Sequence, residues 1–257
     1  MGLRALLGRS RHGPPHGPSQ ARAYAIGDIH GRLDLLDDLL RRIDDDMQRR
    51  SPRRTYIVFL GDLVDRGPDS RGVIDRLIGY RPFGAKPAFL AGNHEEAFLR
   101  VLEGEEEVLE SWLRFGGGEC LKSYGVDPES LNDMPPKTML QRIRRQVPAA
   151  HVQFLKSFAD SLRFGDYLFV HAGIRPNVPL EEQQLDDLRW IREPFLSHQG
   201  RHEFFVVHGH TVTPQVEELE NRIGLDTGAY LTGRLSAVGL EDERRWFLAA
   251  EMPGDPR

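Results

Sequence analysis

The sequence predicts an α/β fold, a two-sheet β-sandwich flanked by helices with a helical insertion. Three observations predict it. Short apolar runs recur and stop abruptly at polar clusters, as buried strands do when they run into turns. Helix-period patterns fill the gaps between the first three runs, which makes βαβ units with both faces of a sheet covered. After residue 203 the pattern becomes rich in strands again.

Taken in order, residues 1–22 carry Arg4, Arg9, Arg11 and Arg22, no acid, and the stretch Gly13-Pro14-Pro15-His16-Gly17-Pro18. They read as a disordered basic tail. Ala5-Leu6-Leu7 is too short an apolar stretch for a signal peptide. Residues 23–250 read as the folded domain and 251–257 as a second tail. Tyr24-Ala25-Ile26 ends at Gly27-Asp28, Tyr56-Ile57-Val58-Phe59-Leu60 at Gly61-Asp62, and Ala88-Phe89-Leu90-Ala91 at Gly92-Asn93. Between the first two, apolar residues at 33, 35, 36, 39, 40 and 43 give helix spacing, with acids early and Arg41-Arg42 late to match the helix dipole. Residues 70–80 repeat the pattern. Residues 96–163 break the rhythm and read as the helical insertion, interrupted by Gly116-Gly117-Gly118 and Pro135-Pro136. Tyr167-Leu168-Phe169-Val170 ends at His171, and Phe204-Phe205-Val206-Val207 at His208. Strands at 204–207, 222–225, 234–240 and 245–250 are expected to form a second, antiparallel sheet.

Bulk properties narrow the function. The 34 Lys and Arg against 39 Asp and Glu give a formal charge of -5, so no global basic field attracts nucleic acid or anionic membrane. The single Cys120 allows neither an internal disulfide nor a cysteine-built zinc site, and it fits a reducing compartment. A cytoplasmic location is the expectation. No apolar run approaches the roughly 20 residues of a membrane helix.

The strand ends carry the chemistry. In open α/β sheets ligands bind beyond the carboxyl ends of the strands. Asp28-Ile29-His30 sets a carboxylate and an imidazole two residues apart, which extended backbone would aim the same way. Asp62, Asn93 with His94, His171 and, after a short turn, His210 follow the other runs. Carboxylate, amide and imidazole donors together suit manganese, iron or zinc rather than calcium.

Gly27-Asp28-Ile29-His30-Gly31, Gly61-Asp62-Leu63-Val64-Asp65-Arg66-Gly67 and Gly92-Asn93-His94-Glu95 resemble the three signature blocks of the PPP-type serine/threonine phosphatases, within the calcineurin-like metallophosphoesterase superfamily. Val170-His171-Ala172-Gly173, Gly209-His210-Thr211 and Asp226-Thr227-Gly228-Ala229 continue the likeness, the last resembling short bacterial and phage members. The blocks stand in order over residues 22–240, a far more specific signal than a lone Gly-Asp-x-His.

This resemblance implies two divalent metal ions, manganese first, with iron or zinc as alternatives. Asp28, His30 and Asp62 would hold one. Asp62, Asn93, His171 and His210 would hold the other, with Asp62 bridging and a water ionised between the ions as nucleophile. His94 would protonate the leaving oxygen, oriented by Asp65. Arg66 would grip the phosphate, with Asn93 beside it, and Trp190-Ile191-Arg192-Glu193 nominates Arg192 as a second arginine.

Other residues read more plainly. His208 reads as packed, Glu95 and Glu96 as solvated first-turn acids, and the glycine triplet as a flexible connection, since it lacks the Lys-Ser/Thr of a phosphate loop. Trp112, Phe115, Leu121 and Tyr124 read as the core of the insertion. The leading functional expectation is a protein phosphatase acting on phosphoserine and phosphothreonine. The alternative is a diadenosine tetraphosphate hydrolase or a broad small-molecule phosphomonoesterase. Asp65 and Glu95 favour the first, because the tetraphosphatases, which the chain also resembles in its first and Gly-Asn-His blocks, usually show alanine in place of Asp65 and aspartate in place of Glu95. A non-catalytic binding module would have lost ligand positions, and none is missing here.

Overall fold

The computed structural model describes residues 13–252. In chain order the elements are β1 (Ala21–Ile26), α1 (Leu33–Gln48), β2 (Arg54–Phe59), α2 (Ser70–Ile78), β3 (Ala85–Phe89), α3 (Asn93–Glu103), α4 (Glu106–Trp112), α5 (Gly118–Ser123), α6 (Pro136–Gln146), α7 (Ala149–Lys156), β4 (Ser161–Phe164), β5 (Tyr167–Val170), α8 (Leu185–Trp190), β6 (Phe205–His208), β7 (Glu217–Glu218), β8 (Arg222–Gly224), α9 (Ala229–Thr232), β9 (Arg234–Glu241) and β10 (Arg244–Glu251). They build two five-stranded sheets, ordered β10-β9-β1-β2-β3 and β4-β5-β6-β8-β7. The first has the parallel run β1-β2-β3, with Ile26 opposite Phe59 and Phe59 opposite Phe89. The second has the parallel run β5-β6-β8.

The expected α/β architecture of two sheets flanked by helices is the observed one. Alternation along the strands makes it. On β1, Tyr24 and Ile26 face the helices, where Leu35, Leu36, Leu39 and Ile43 of α1 meet them. Ala23 and Ala25 face the other way, into a core between the sheets with Tyr167, Phe169, Val207 and Leu225. On β5 the outward residues Leu168 and Val170 pack under Leu188, Ile191 and Phe195. Each such side chain, fully withdrawn from water, contributes about 1.5–3 kcal/mol before entropy is counted.

Three expectations are corrected. The strands after residue 203 do not make an antiparallel sheet of their own. β9 pairs antiparallel with β1, and β10 with β9, inside the first sheet. The reason is two-sidedness: Leu235 and Ala237 join the helix-side core while Val238 and Leu240 join the inter-sheet core, so β9 needs cover on both faces. The second sheet instead takes β4 and β5 from before residue 171. The basic tail is also drawn too long. Residues 1–12 lie outside the described residues, but Arg22 sits inside β1, buried, with its guanidinium 2.6 Å from the Glu241 carboxylate. The Gly17 amide donates to the Asp242 carbonyl at 2.8 Å. Finally, the insertion has no core of its own: Trp112, Leu121, Tyr124, Leu140 and Ile143 merge with α1–α3 in one cluster. Among the described residues no helix is long and apolar enough to cross a membrane.

Candidate metal centre

The carboxyl ends of β1, β2, β3, β5 and β6 deliver their polar clusters to one place. The backbone there is bent hard. His30, Asp62, Asp65, Arg66 and His210 all have positive φ, between 46° and 70°. Non-glycine residues seldom adopt that region, and five of the eight that do so among the described residues stand in this cluster, as strain held at functional sites does. The chain turns at His30 and Gly31, directly after Asp28-Ile29. Two glycines are required by close approach: a Cβ on Gly92 would lie 2.1 Å from Asp62 Oδ1, and one on Gly209 2.0 Å from Asp28 Oδ1.

Asp62 is the centre. Its Oδ2 lies 3.6 Å from His30 Nε2 and 3.4 Å from His171 Nε2. Its Oδ1 accepts the His94 amide at 3.0 Å. Asn93 Oδ1 lies 3.0 Å from His171 Nε2 and 2.9 Å from His210 Nδ1. The imidazoles are oriented from behind. His30 Nδ1 donates to the Val64 carbonyl at 2.8 Å and His171 Nδ1 to the Leu60 carbonyl at 2.9 Å, which turns each Nε2 lone pair inward. His30 Nε2 and His210 Nε2 are buried and have no hydrogen-bond partner. Burial holds His30 well below its usual pKa and pushes His210 down to about 3, so both stay neutral and keep a lone pair for a ligand bond. Burial alone would raise Asp62, but the His171 and His94 imidazoles overcome it and hold the carboxylate ionised.

The Asp62 carboxylate, the Asn93 oxygen and three imidazoles thus converge in a buried space, and a concentration of buried acceptors of that kind favours a positive charge. Two compact groups can supply a cation's ligands: His30, Asp62 and His94, and Asp62, His171 and His210. Asp62 is common to both. The donor set therefore fits two metal ions.

The first group differs from the expected one. His94 stands in it and Asp28 does not. Asp28 is buried, and its two carboxylate oxygens accept the His210 amide at 3.2 and 3.0 Å. Both ring nitrogens of His94 are already engaged: Nδ1 meets Asp65 Oδ2 at 2.7 Å, and Nε2 lies 2.9 Å from an Arg66 nitrogen. Burial would lower His94, but the Asp62 and Asp65 carboxylates outweigh it and raise its pKa, which suits a proton donor better than a ligand. Arg192 is exposed, and its charge helps lower His210.

Four further residues enter the site. Glu95, expected in solvent, is fully buried. It stands third in α3 and closes back on Gly92 N at 2.9 Å, then accepts Asp62 N at 2.8 Å, Leu63 N at 2.7 Å and Val64 N at 3.3 Å. One carboxylate so ties the loop bearing Asp62 to the helix bearing Asn93 and His94; burial pushes its pKa up to about 7. Its position three residues past the helix cap was the available signal. Trp112 Nε1 donates to Asp65 Oδ2 at 2.9 Å, a contact no local pattern announces. Tyr230 takes Arg66 across its ring face at 4.9 Å, with its hydroxyl 3.2 Å from Arg66 Nη1. Asp226, in the Asp226-Thr227-Gly228-Ala229 block, is buried with Oδ1 accepting Gly228 N at 2.9 Å and Oδ2 unpartnered. His208 packs edge-on against Phe195, 5.0 Å between centroids.

The chain is similar to several known proteins. A bis(5'-nucleosyl)-tetraphosphatase PrpE, asymmetrical, of Anoxybacillus flavithermus is 26% identical over 89% of this chain and 94% of its own length. A symmetrical bis(5'-nucleosyl)-tetraphosphatase of an Acidovorax strain is 28% identical over 90% and 99%. Serine/threonine-protein phosphatase 1 of Salmonella typhimurium is 25% identical over 85% and 91%. Among solved structures, a candidate diadenosine tetraphosphatase superposes with a TM-score of 0.63 at 23% identity, covering 93% of this chain and 96% of its own, which shows a common fold. The family described as calcineurin-like phosphoesterase matches residues 21–237, the span that carries every strand end of the centre. By that match, and by the two ion-sized groups built around Asp62, the chain belongs to the calcineurin-like phosphoesterases and is a metallophosphoesterase.

Proposed function

We propose that this chain hydrolyses dinucleoside polyphosphates, with diadenosine tetraphosphate as the representative substrate. This reverses the order expected from the signature blocks alone, where a protein phosphatase led. The observation that carries it is that near full-length relatives named for this activity, of both the asymmetrical and symmetrical kinds, match 89% and 90% of the chain.

In this reading Asp28, His30 and Asp62 hold one ion, and Asp62, Asn93, His171 and His210 the other, manganese being the first expectation and iron or zinc the alternatives. Two bound divalent ions supply Lewis-acid polarisation of the phosphoryl oxygens and an ionised water at neutral pH. The chain's own residues do the rest. Arg66 and Arg192 bind the phosphate chain by charge-assisted hydrogen bonds, and Tyr230 fixes the plane of Arg66. Arg66 leaves His94 Nε2 when a phosphate competes for it, which frees that nitrogen to carry a proton. His94 then delivers the proton to the departing oxygen while Asp65, itself held by Trp112, keeps the ring aimed and stabilises its charge.

One observation favours a second reading, a phosphoserine and phosphothreonine phosphatase. A departing nucleotide phosphate is a good leaving group, whereas a serine or threonine alkoxide needs an acid, and the Asp65-His94 pair is built as one. Steady-state kinetics of the manganese-loaded protein on diadenosine tetraphosphate and on a phosphothreonine peptide decide between them. The higher kcat/KM is expected on the dinucleotide. A clear preference for the peptide would reject it.

A further inference from the structure

The segments around the candidate metal centre carry exposed apolar side chains beside their charged ones. Nine large apolar side chains remain exposed among the described residues, and four of them lie on segments that adjoin the site: Phe115 at 62%, Leu231 at 63%, Trp190 at 43% and Val212 at 40%.

Two edges can be told apart. One belongs to Arg66. The kinked turn Leu113–Gly117 passes over it: the Gly116 carbonyl accepts the Arg66 amide at 3.0 Å, and a Cβ on Gly116 would lie 2.6 Å from Arg66 Cγ. That close approach, with Gly116 at φ 115°, fixes Phe115 one residue away and turns it off the buried face where Trp112 stacks on Phe98. Leu231 follows Tyr230, which holds the other side of Arg66. The second edge belongs to His210. Trp190 ends α8 with its indole nitrogen 3.3 Å from Glu96 Oε2, two residues after His94. Arg189 holds the same carboxylate at 3.1 Å, and the Trp190 backbone adjoins His210. Arg192 follows within two residues.

We infer that Phe115 and Trp190 are stacking platforms for the two bases of a dinucleoside polyphosphate, Phe115 at the Arg66 edge and Trp190 at the His210 edge. The inference rests on the proposed function and specifies how its substrate is told from a bare phosphate chain. The chemistry of the ligand matches the layout: a polyanion for the two arginines and the metal ions, ended on both sides by flat π-systems. Leu231 and Val212 add apolar cover without a polar demand. An aromatic face takes any base, so the platforms select for nucleosides in general and the choice of adenine is not theirs.

The test compares two ligands by calorimetry on the manganese-loaded full chain: a methylene-bridged, non-hydrolysable diadenosine tetraphosphate analogue and inorganic tripolyphosphate, which has no base. Phe115→Ala and Trp190→Ala should each weaken the analogue by roughly 5- to 150-fold, the span of one lost base–aromatic stack, while tripolyphosphate changes less than about twofold. Phe115→Trp and Trp190→Phe, which keep a ring, should restore analogue binding to within a few-fold of the parent. Equal losses for both ligands, or analogue binding unchanged in the alanine variants, would overturn the platforms. Turnover of diadenosine tetraphosphate by the parent separates the two levels: if the parent turns it over while the alanine variants bind normally, the platforms alone fail; if the parent does not turn it over, the proposed function fails with them.

Discussion

The two sheets contribute different chemistry to one site. The first, through the ends of β1, β2 and β3, brings the carboxylates and the amide: Asp28, Asp62 and Asn93, with His30 and His94 beside them. The second brings the imidazoles His171 and His210 from β5 and β6, and the buried Asp226 from beyond β8. The first group is complete within one sheet. The second exists only when the sheets dock, because His171 and His210 follow strands of the second sheet and Asp62 follows a strand of the first. A carboxylate on the first sheet that bridged two ions would therefore do double duty, serving the ion its own sheet could bind and the one it could not.

The substitution with the largest expected effect attacks that shared atom. Asp62→Asn removes the charge that faces both His30 and His171, and both ions should weaken by more than about 10²-fold, since even indirect supports of a metal site are worth 10–100-fold. Metal analysis of the purified variant should find neither ion held. Two retained ions would show that the sheets bind metal independently.

His94→Asn should come next. It leaves the shared carboxylate untouched, so metal content stays at the parent level while kcat on an alkyl phosphoester falls by roughly 10²–10⁴. The loss should shrink on p-nitrophenyl phosphate, whose leaving group needs little protonation. Equal losses on the two esters would remove the proton-donor role.

Glu95→Ala sharpens the comparison from within the first sheet. Four buried amides lose their acceptor, at about 1–3 kcal/mol for each group that stays unsatisfied. Denaturant unfolding should show the fall, and metal affinity should drop about 10–100-fold as the Asp62 loop and α3 come apart. If neither changes, the side chain is no more than the solvated acid that its place in the sequence suggested.

Much of this was legible beforehand, for physical reasons. The strands were visible because apolar runs bounded by glycine have few other uses, and the metal residues because chemistry-bearing side chains stood at each run's end. Legibility stopped where long-range packing decides. β9 alternates like any strand, and nothing local says that its two faces belong to the cores on either side of the first sheet. Glu95 has the same charge and neighbours whether a loop 33 residues away lays its amides over it or water does. Tyr230 and Trp112 touch the site across 164 and 47 residues of chain, so their roles follow from the fold and from no motif. Asp28 was read from its block as a plain ligand, yet its oxygens accept the His210 amide across 182 residues of chain and tie the two sheets together.

The most direct test of the shared carboxylate is anomalous diffraction at the manganese edge from crystals of the metal-loaded protein. Two peaks are expected, one beside His30 and Asp62 and one among Asp62, Asn93, His171 and His210, with an Asp62 oxygen reaching both. A single peak, or two peaks of which only one touches Asp62, would contradict it.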